Sequence, residues 1–63
     1  MNTYEMRVMN PLGRIAKIYA SSHISDFAAI RRAMRLASAG DLIEVWRGVV
    51  CVYSGATDRA LAL

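Results

Sequence analysis

Residues 41–55 read DLIEVWRGVVCVYSG. Two runs rich in β-branched and aromatic residues flank Arg47-Gly48, the pattern of a β-hairpin with its turn at that dipeptide. A two-residue loop there pairs Trp46 with Val49, Val45 with Val50 and Ile43 with Val52, and gathers four β-branched residues on one face. A three-residue bulged loop would shift the partner strand by one and swap its faces. In the first register a second face collects Leu42, Trp46, Val49, Cys51 and Tyr53. A half-buried strand needs only one apolar face, so the second asks for a partner.

Upstream lies the element that can cover the first face. Ser25-Asp26 is a helix start, with a serine N-cap and an acid in the first turn. Phe27, Ile30, Ala33, Met34 and Ala37 recur at helical spacing and form one stripe. Gly40 fits a left-handed stop after Ala39. The spacing predicts a helix over Asp26–Ala39, joined to the preceding strand by a polar connection, Ser21–Ser25.

The first twenty residues form another hairpin. Tyr4, Met6 and Val8 alternate with Glu5 and Arg7 over Thr3–Met9. Asn10-Pro11-Leu12-Gly13 has the residues of a type I turn closed by a left-handed glycine. A three-residue loop, Pro11 to Gly13, pairs Val8 with Ala16, Met6 with Ile18 and Tyr4 with Ala20 along a second strand, Arg14–Ala20. That register sets Arg7 opposite Lys17 on the outer face, with Glu5 diagonal to Lys17.

The order ββαββ makes an α+β two-layer sandwich, a four-stranded, mainly antiparallel sheet with one helix on one face. A link through the helix that brings strand three beside strand one gives the order 2-1-3-4. Residues 1–55 form the single domain. Residues 56–63 are a short tail, in which Thr57-Asp58 can cap one turn carrying Leu61 and Leu63. The hairpin–helix–hairpin plan, the Gly13-Arg14-Ile15 opening of strand two and a helix ending before GDLIEVWRG (residues 40–48) resemble a group of small alphaproteobacterial proteins of unknown function. The resemblance covers roughly residues 3 to 54. It implies a ββαββ fold and carries no functional residue across.

Totals narrow the functions. A chain of 63 residues buries only about 60% of its unfolded surface, which leaves little margin of stability. Cys51 is the single cysteine and His23 the single histidine, so an internal disulfide and a paired-ligand zinc site are both excluded. Hydrophobic residues reach 56% and mean hydropathy is +0.27, a surplus that often marks a partner surface. The N-terminus has no apolar run of the signal-peptide kind and no segment approaches membrane-span length. A lone thiol suits a reducing compartment, and the cytoplasm is the expected setting.

Catalysis has little to stand on. Cys51 and His23 are the one conceivable nucleophile–base pair, yet a mid-strand cysteine is more often a packing residue. His23 reads as a solvated loop residue. No phosphate-binding glycine loop is present, and no cofactor is implied. The expectation is a non-enzymatic protein-interaction module that forms a homodimer through the outer sheet face or a strand edge. Tyr19, Leu42, Trp46, Val49, Cys51 and Tyr53 are its candidate interface residues, with Met9 and Ile15 beside them. The alternative is a nucleic-acid binder. The formal charge is +3 and seven of the eight basic residues are arginine. Arg31, Arg32 and Arg35 form a ridge opposite the helix stripe, and with Arg7, Lys17 and the sheet aromatics they offer contacts to phosphates and bases.

Overall fold

Alternation along the N-terminal segment is realised as strand β1, Asn2–Met9, with Tyr4, Met6 and Val8 buried. The computed structural model describes residues 1–57 and adds β2 (Ile15–His23), α1 (Asp26–Leu36), β3 (Leu42–Arg47) and β4 (Val50–Ala56). The four strands form one antiparallel sheet in the order β2-β1-β3-β4. Helix α1 lies on one face, giving the expected ββαββ α+β fold. Central strands β1 and β3 supply Tyr4, Met6, Val8, Ile43 and Val45 to the core, and α1 with its C-cap supplies Ala29, Ala33 and Ala37. The tail turn expected beyond Thr57, with Leu61 and Leu63, lies outside the described residues.

The helix begins as expected. The Ser25 hydroxyl accepts the Ala28 N–H at 3.1 Å, and Asp26 occupies the positive first turn. It ends three residues early, because Ala37 is already extended. A short turn follows in which the Asp41 carboxylate accepts the Ser38 N–H at 2.9 Å, so the Ser38 N–H is bonded outside the helix. The buried stripe also differs from the expected one. Phe27 is 68% exposed, whereas Ala29 and Ala33 are fully buried and Ile30 and Met34 pack at the margin. Alanine at the helix–sheet contact leaves the space between the layers to the long side chains of the sheet, Tyr4, Met6 and Ile43, and the bulkier helix residues are displaced to the flanks.

Both hairpins depart from the expected registers: each edge strand carries a β-bulge, and in the second hairpin the turn is displaced as well. In the first, the loop is as expected. Asn10 N–H donates to the Arg14 carbonyl, Gly13 N–H donates to the Asn10 carbonyl, and Met9 pairs with Ile15. Ala16 then has no partner, and the ladder continues with Val8 opposite Lys17, Met6 opposite Tyr19 and Tyr4 opposite Ser21. The extra residue exchanges the faces of the rest of β2. Tyr19 turns toward the helix and packs on the core, while Ile18 lies outside, 56% exposed. Arg7 therefore faces Ile18 rather than Lys17. Lys17 and Ser21 are exposed on the helix side, at the sheet edge where polar groups keep contact with water.

In the second hairpin the turn is Gly48-Val49, with Arg47 opposite Val50, one position later than the sequence suggests. Gly48 has φ +61°. A left-handed glycine at the first central position is what a type II′ two-residue turn requires. Val49 is thus a turn residue, 93% exposed, and belongs to neither face. Trp46 pairs with Cys51 and Val45 with Tyr53, which leaves Val52 unpartnered as the second bulge. Tyr53 consequently turns inward and packs on the core beside Val52. Its ring lies over Gly55, where an added Cβ would sit 3.2 Å from the Tyr53 hydroxyl.

Candidate functional site: the outer sheet face

The register places Glu5, Arg7 and Met9 of β1 at the centre of the face away from the helix. Beside them stand Ile15 and Ile18 of β2, Leu42, Glu44 and Trp46 of β3, and Cys51 of β4. Arg7 organises the middle. Its Nε donates to Glu5 Oε1 at 3.1 Å, its Nη1 lies 3.7 Å from Glu44 Oε1, and its guanidinium sits 5.1 Å from the Trp46 ring centroid. Trp46 Nε1–H donates to Glu44 Oε1 at 3.1 Å. The hydrogen bond to Glu5, followed by the nearby negative groups, raises the Arg7 pKa above its ordinary value. Four side chains from two neighbouring strands therefore hold one another in place, and this order is set before any partner arrives.

Toward the first hairpin loop the surface beside this centre is apolar, whereas Thr3 and Ser22 at the far end of the β1–β2 ladder and Ser54 opposite Glu44 make the rest of the face polar. Ile15 and Ile18 are each more than half exposed and Leu42 more than a third, with Met9 between them in the ladder. Of the residues expected on this face, Leu42, Trp46 and Cys51 are there. Tyr19 and Tyr53 are turned inward by the bulges, and Val49 is in the turn. Ile18 takes their place. Nothing in the sequence announces it, since its position depends on a bulge at an unremarkable alanine.

On the helix side, a latch holds α1 to the sheet. The buried Tyr4 hydroxyl donates to Asp26 Oδ1, and Arg47 Nη1 donates to both Asp26 oxygens at 2.7 Å. Tyr4 and Arg47 are cross-strand partners, so one carboxylate in the first helical turn gathers β1 and β3 together. The Tyr4 hydrogen bond first, and Arg47 second, hold the Asp26 carboxyl below its ordinary pKa.

The basic residues do not form one site. Arg7 is on the outer face and engaged by glutamates. Lys17 lies on the helix side of edge strand β2. Arg31, Arg32 and Arg35 line a cleft on the flank of α1. His23 is not in a loop: it ends β2 half-buried, with Nε2 2.8 Å from the Ser21 hydroxyl and its ring 5.9 Å from that of Tyr4. Cys51 and His23 are on strands at opposite edges of the sheet, three strand spacings apart, roughly 14 Å, so they are not a catalytic pair. Among the described residues no group of three or more His, Cys, Asp and Glu gathers to hold a metal, and no helix is long and apolar enough to cross a membrane.

Comparison with known proteins returns no match, whether to a protein family, to a curated protein or to a solved structure.

Proposed function

We propose that this protein is a non-enzymatic interaction module that pairs with a second copy of itself by stacking outer sheet faces. The observation that carries the reading is the exposed trio Ile15, Ile18 and Leu42 beside the preorganised Arg7–Trp46 centre. An aromatic and an arginine at the middle of an apolar patch are the usual anchors of a protein interface. The dimensions agree. The molecule is a slab of 30 × 26 × 15 Å, and a broad face of that size is close to the roughly 800 Å² that each partner gives to a standard interface.

The strand edges are less suited to the task. Each carries a bulge, and β2 adds Lys17, devices that spoil an edge as a template for another strand. Charge favours a like partner. Glu5 and Glu44 flank Arg7, so each copy presents both signs in a short row, and a two-fold axis can set either copy's arginine against the other's glutamates. The exposed thiol of Cys51 suits a reducing compartment, and we assign the protein to the cytoplasm.

The test is sedimentation of the wild type and Ile18→Glu by analytical ultracentrifugation from micromolar to millimolar concentration. The expected result is a dimer that Ile18→Glu converts to a monomer with unchanged circular dichroism. Ile24→Glu changes a still more exposed isoleucine beyond the end of β2 and leaves the dimer intact. A wild type that stays monomeric at millimolar concentration removes the reading.

A further inference from the structure

The opposite side of the molecule carries a second surface with a different chemistry. Arg31, Arg32 and Arg35 of α1, together with Ala28 and His23, line an open cleft of about 310 Å³. Among the described residues no carboxylate lines it. The acids of the described residues are committed elsewhere: Glu5 and Glu44 to Arg7, Asp26 to Arg47 and Asp41 to the Ser38 N–H. The three guanidinium groups thus face a concave surface with no counter-charge from those acids. Arginine presents a planar fork of donors matched to phosphate oxygens. Arg31 and Arg35 are one helical turn apart, about 6 Å along the axis, so the donors follow one another and can meet successive phosphates.

Next to this row stands Phe27, 68% exposed. The Arg31 guanidinium lies 5.6 Å from its ring centroid. A ring held in water beside a line of arginines is a stacking platform for an unpaired base. Duplex DNA offers phosphates but keeps its bases stacked, so the aromatic favours a single strand.

We infer that the α1 cleft binds single-stranded nucleic acid, with phosphates on Arg31, Arg32 and Arg35 and a base on Phe27. The cleft lies on the helix side, away from the face proposed for self-association, and the inference does not depend on that pairing.

Fluorescence anisotropy of a labelled oligothymidine, titrated with the full chain at several salt concentrations, tests it. Three phosphate contacts give a slope of about −2 in log affinity against log salt. Combining Arg31→Gln, Arg32→Gln and Arg35→Gln is expected to abolish binding. Phe27→Ala is expected to weaken it roughly tenfold with the salt slope unchanged, and Ile18→Glu to leave it as in the wild type. All of these positions are on the surface, and circular dichroism checks that each variant is folded. The inference is overturned by no binding at low salt, by full binding in the triple arginine variant, by equal affinity for duplex and single strand, or by capture on anionic lipid vesicles in place of the oligonucleotide.

Discussion

At the scale of the residue, Ile43 shows how little the core can spare. It is fully buried on central strand β3, in one cluster with the alanine stripe of α1. Among the described residues, three of the eight buried apolar ones are alanines, so the larger ones carry most of the buried area. A domain of this length holds roughly 3–9 kcal/mol of total stability. Replacing Ile43 with alanine removes about 2–5 kcal/mol, which is enough to unfold much of the population. Ile43→Val removes only about 1 kcal/mol. Urea denaturation followed by circular dichroism is expected to show a lowered midpoint for valine and the loss of a folded baseline for alanine. Position 43 was legible from the alternation in DLIEVW, as were Tyr4, Met6, Val8 and Val45. Tyr19, Tyr53 and Ile18 were not, because each lies beyond an unpaired residue that the pattern of apolar side chains does not mark. Phe27 was misplaced for another reason. The expected stripe holds Ala33 and Ala37 but begins at the large Phe27 instead of Ala29, although the four-residue spacing Ala29–Ala33–Ala37 is present in the sequence.

At the scale of the element, the attachment of α1 to the sheet depends on Asp26. The folded state lowers the pKa of this carboxyl from its ordinary 3.8, so the unfolded chain takes up the proton more readily. The stability that Asp26 contributes is therefore complete above pH 3.8 and is lost as pH falls through the lowered value in the folded protein. Acid titration is expected to loosen the helix from the sheet over that interval. Asp26→Asn removes this part of the pH dependence. Tyr4→Phe moves the Asp26 titration back up toward 3.8, because the first of its two hydrogen-bonding partners is gone. Carboxyl chemical shifts across the titration provide the measurement. The two halves of this latch differ in how openly the sequence displayed them. A serine cap followed by aspartate marked the helix start, and the order β2-β1-β3-β4 was expected from the connection through the helix. That Tyr4 and Arg47 would then be neighbours beneath that aspartate follows from the β1–β3 register, which no local pattern specifies.

At the scale of the molecule, the two broad faces divide the labour. One has an apolar patch beside an arginine held by two glutamates; the other carries the helix, whose arginines meet no carboxylate among the described residues. Cys51 reports on the first without disturbing it. The thiol is exposed and donates weakly to the Tyr53 carbonyl at 3.3 Å, and it stands opposite Trp46 on the proposed pairing face. Its modification by a thiol reagent is expected to be fast in dilute protein and to slow as concentration rises through the dimer range. Ile18→Glu is expected to stay fast throughout. A labelling rate independent of concentration in the wild type would place Cys51 outside any contact between copies.

Ala16 and Val52 add a final consequence, which concerns how large an assembly of this chain can grow. Contact through one broad face is used up after two copies, whereas every molecule has two outer strands, so joining through those strands has no natural end. Each unpaired residue interrupts the regular row of N–H and C=O groups at one of these margins. Deleting Ala16 leaves every other β1–β2 pair as it is, since Ile15 and Lys17 already face Met9 and Val8. The deletion is therefore expected to keep the fold while making one margin regular, and to turn a finite pair into open-ended fibrils detectable by thioflavin fluorescence. A single small residue would then be what keeps this protein from polymerising.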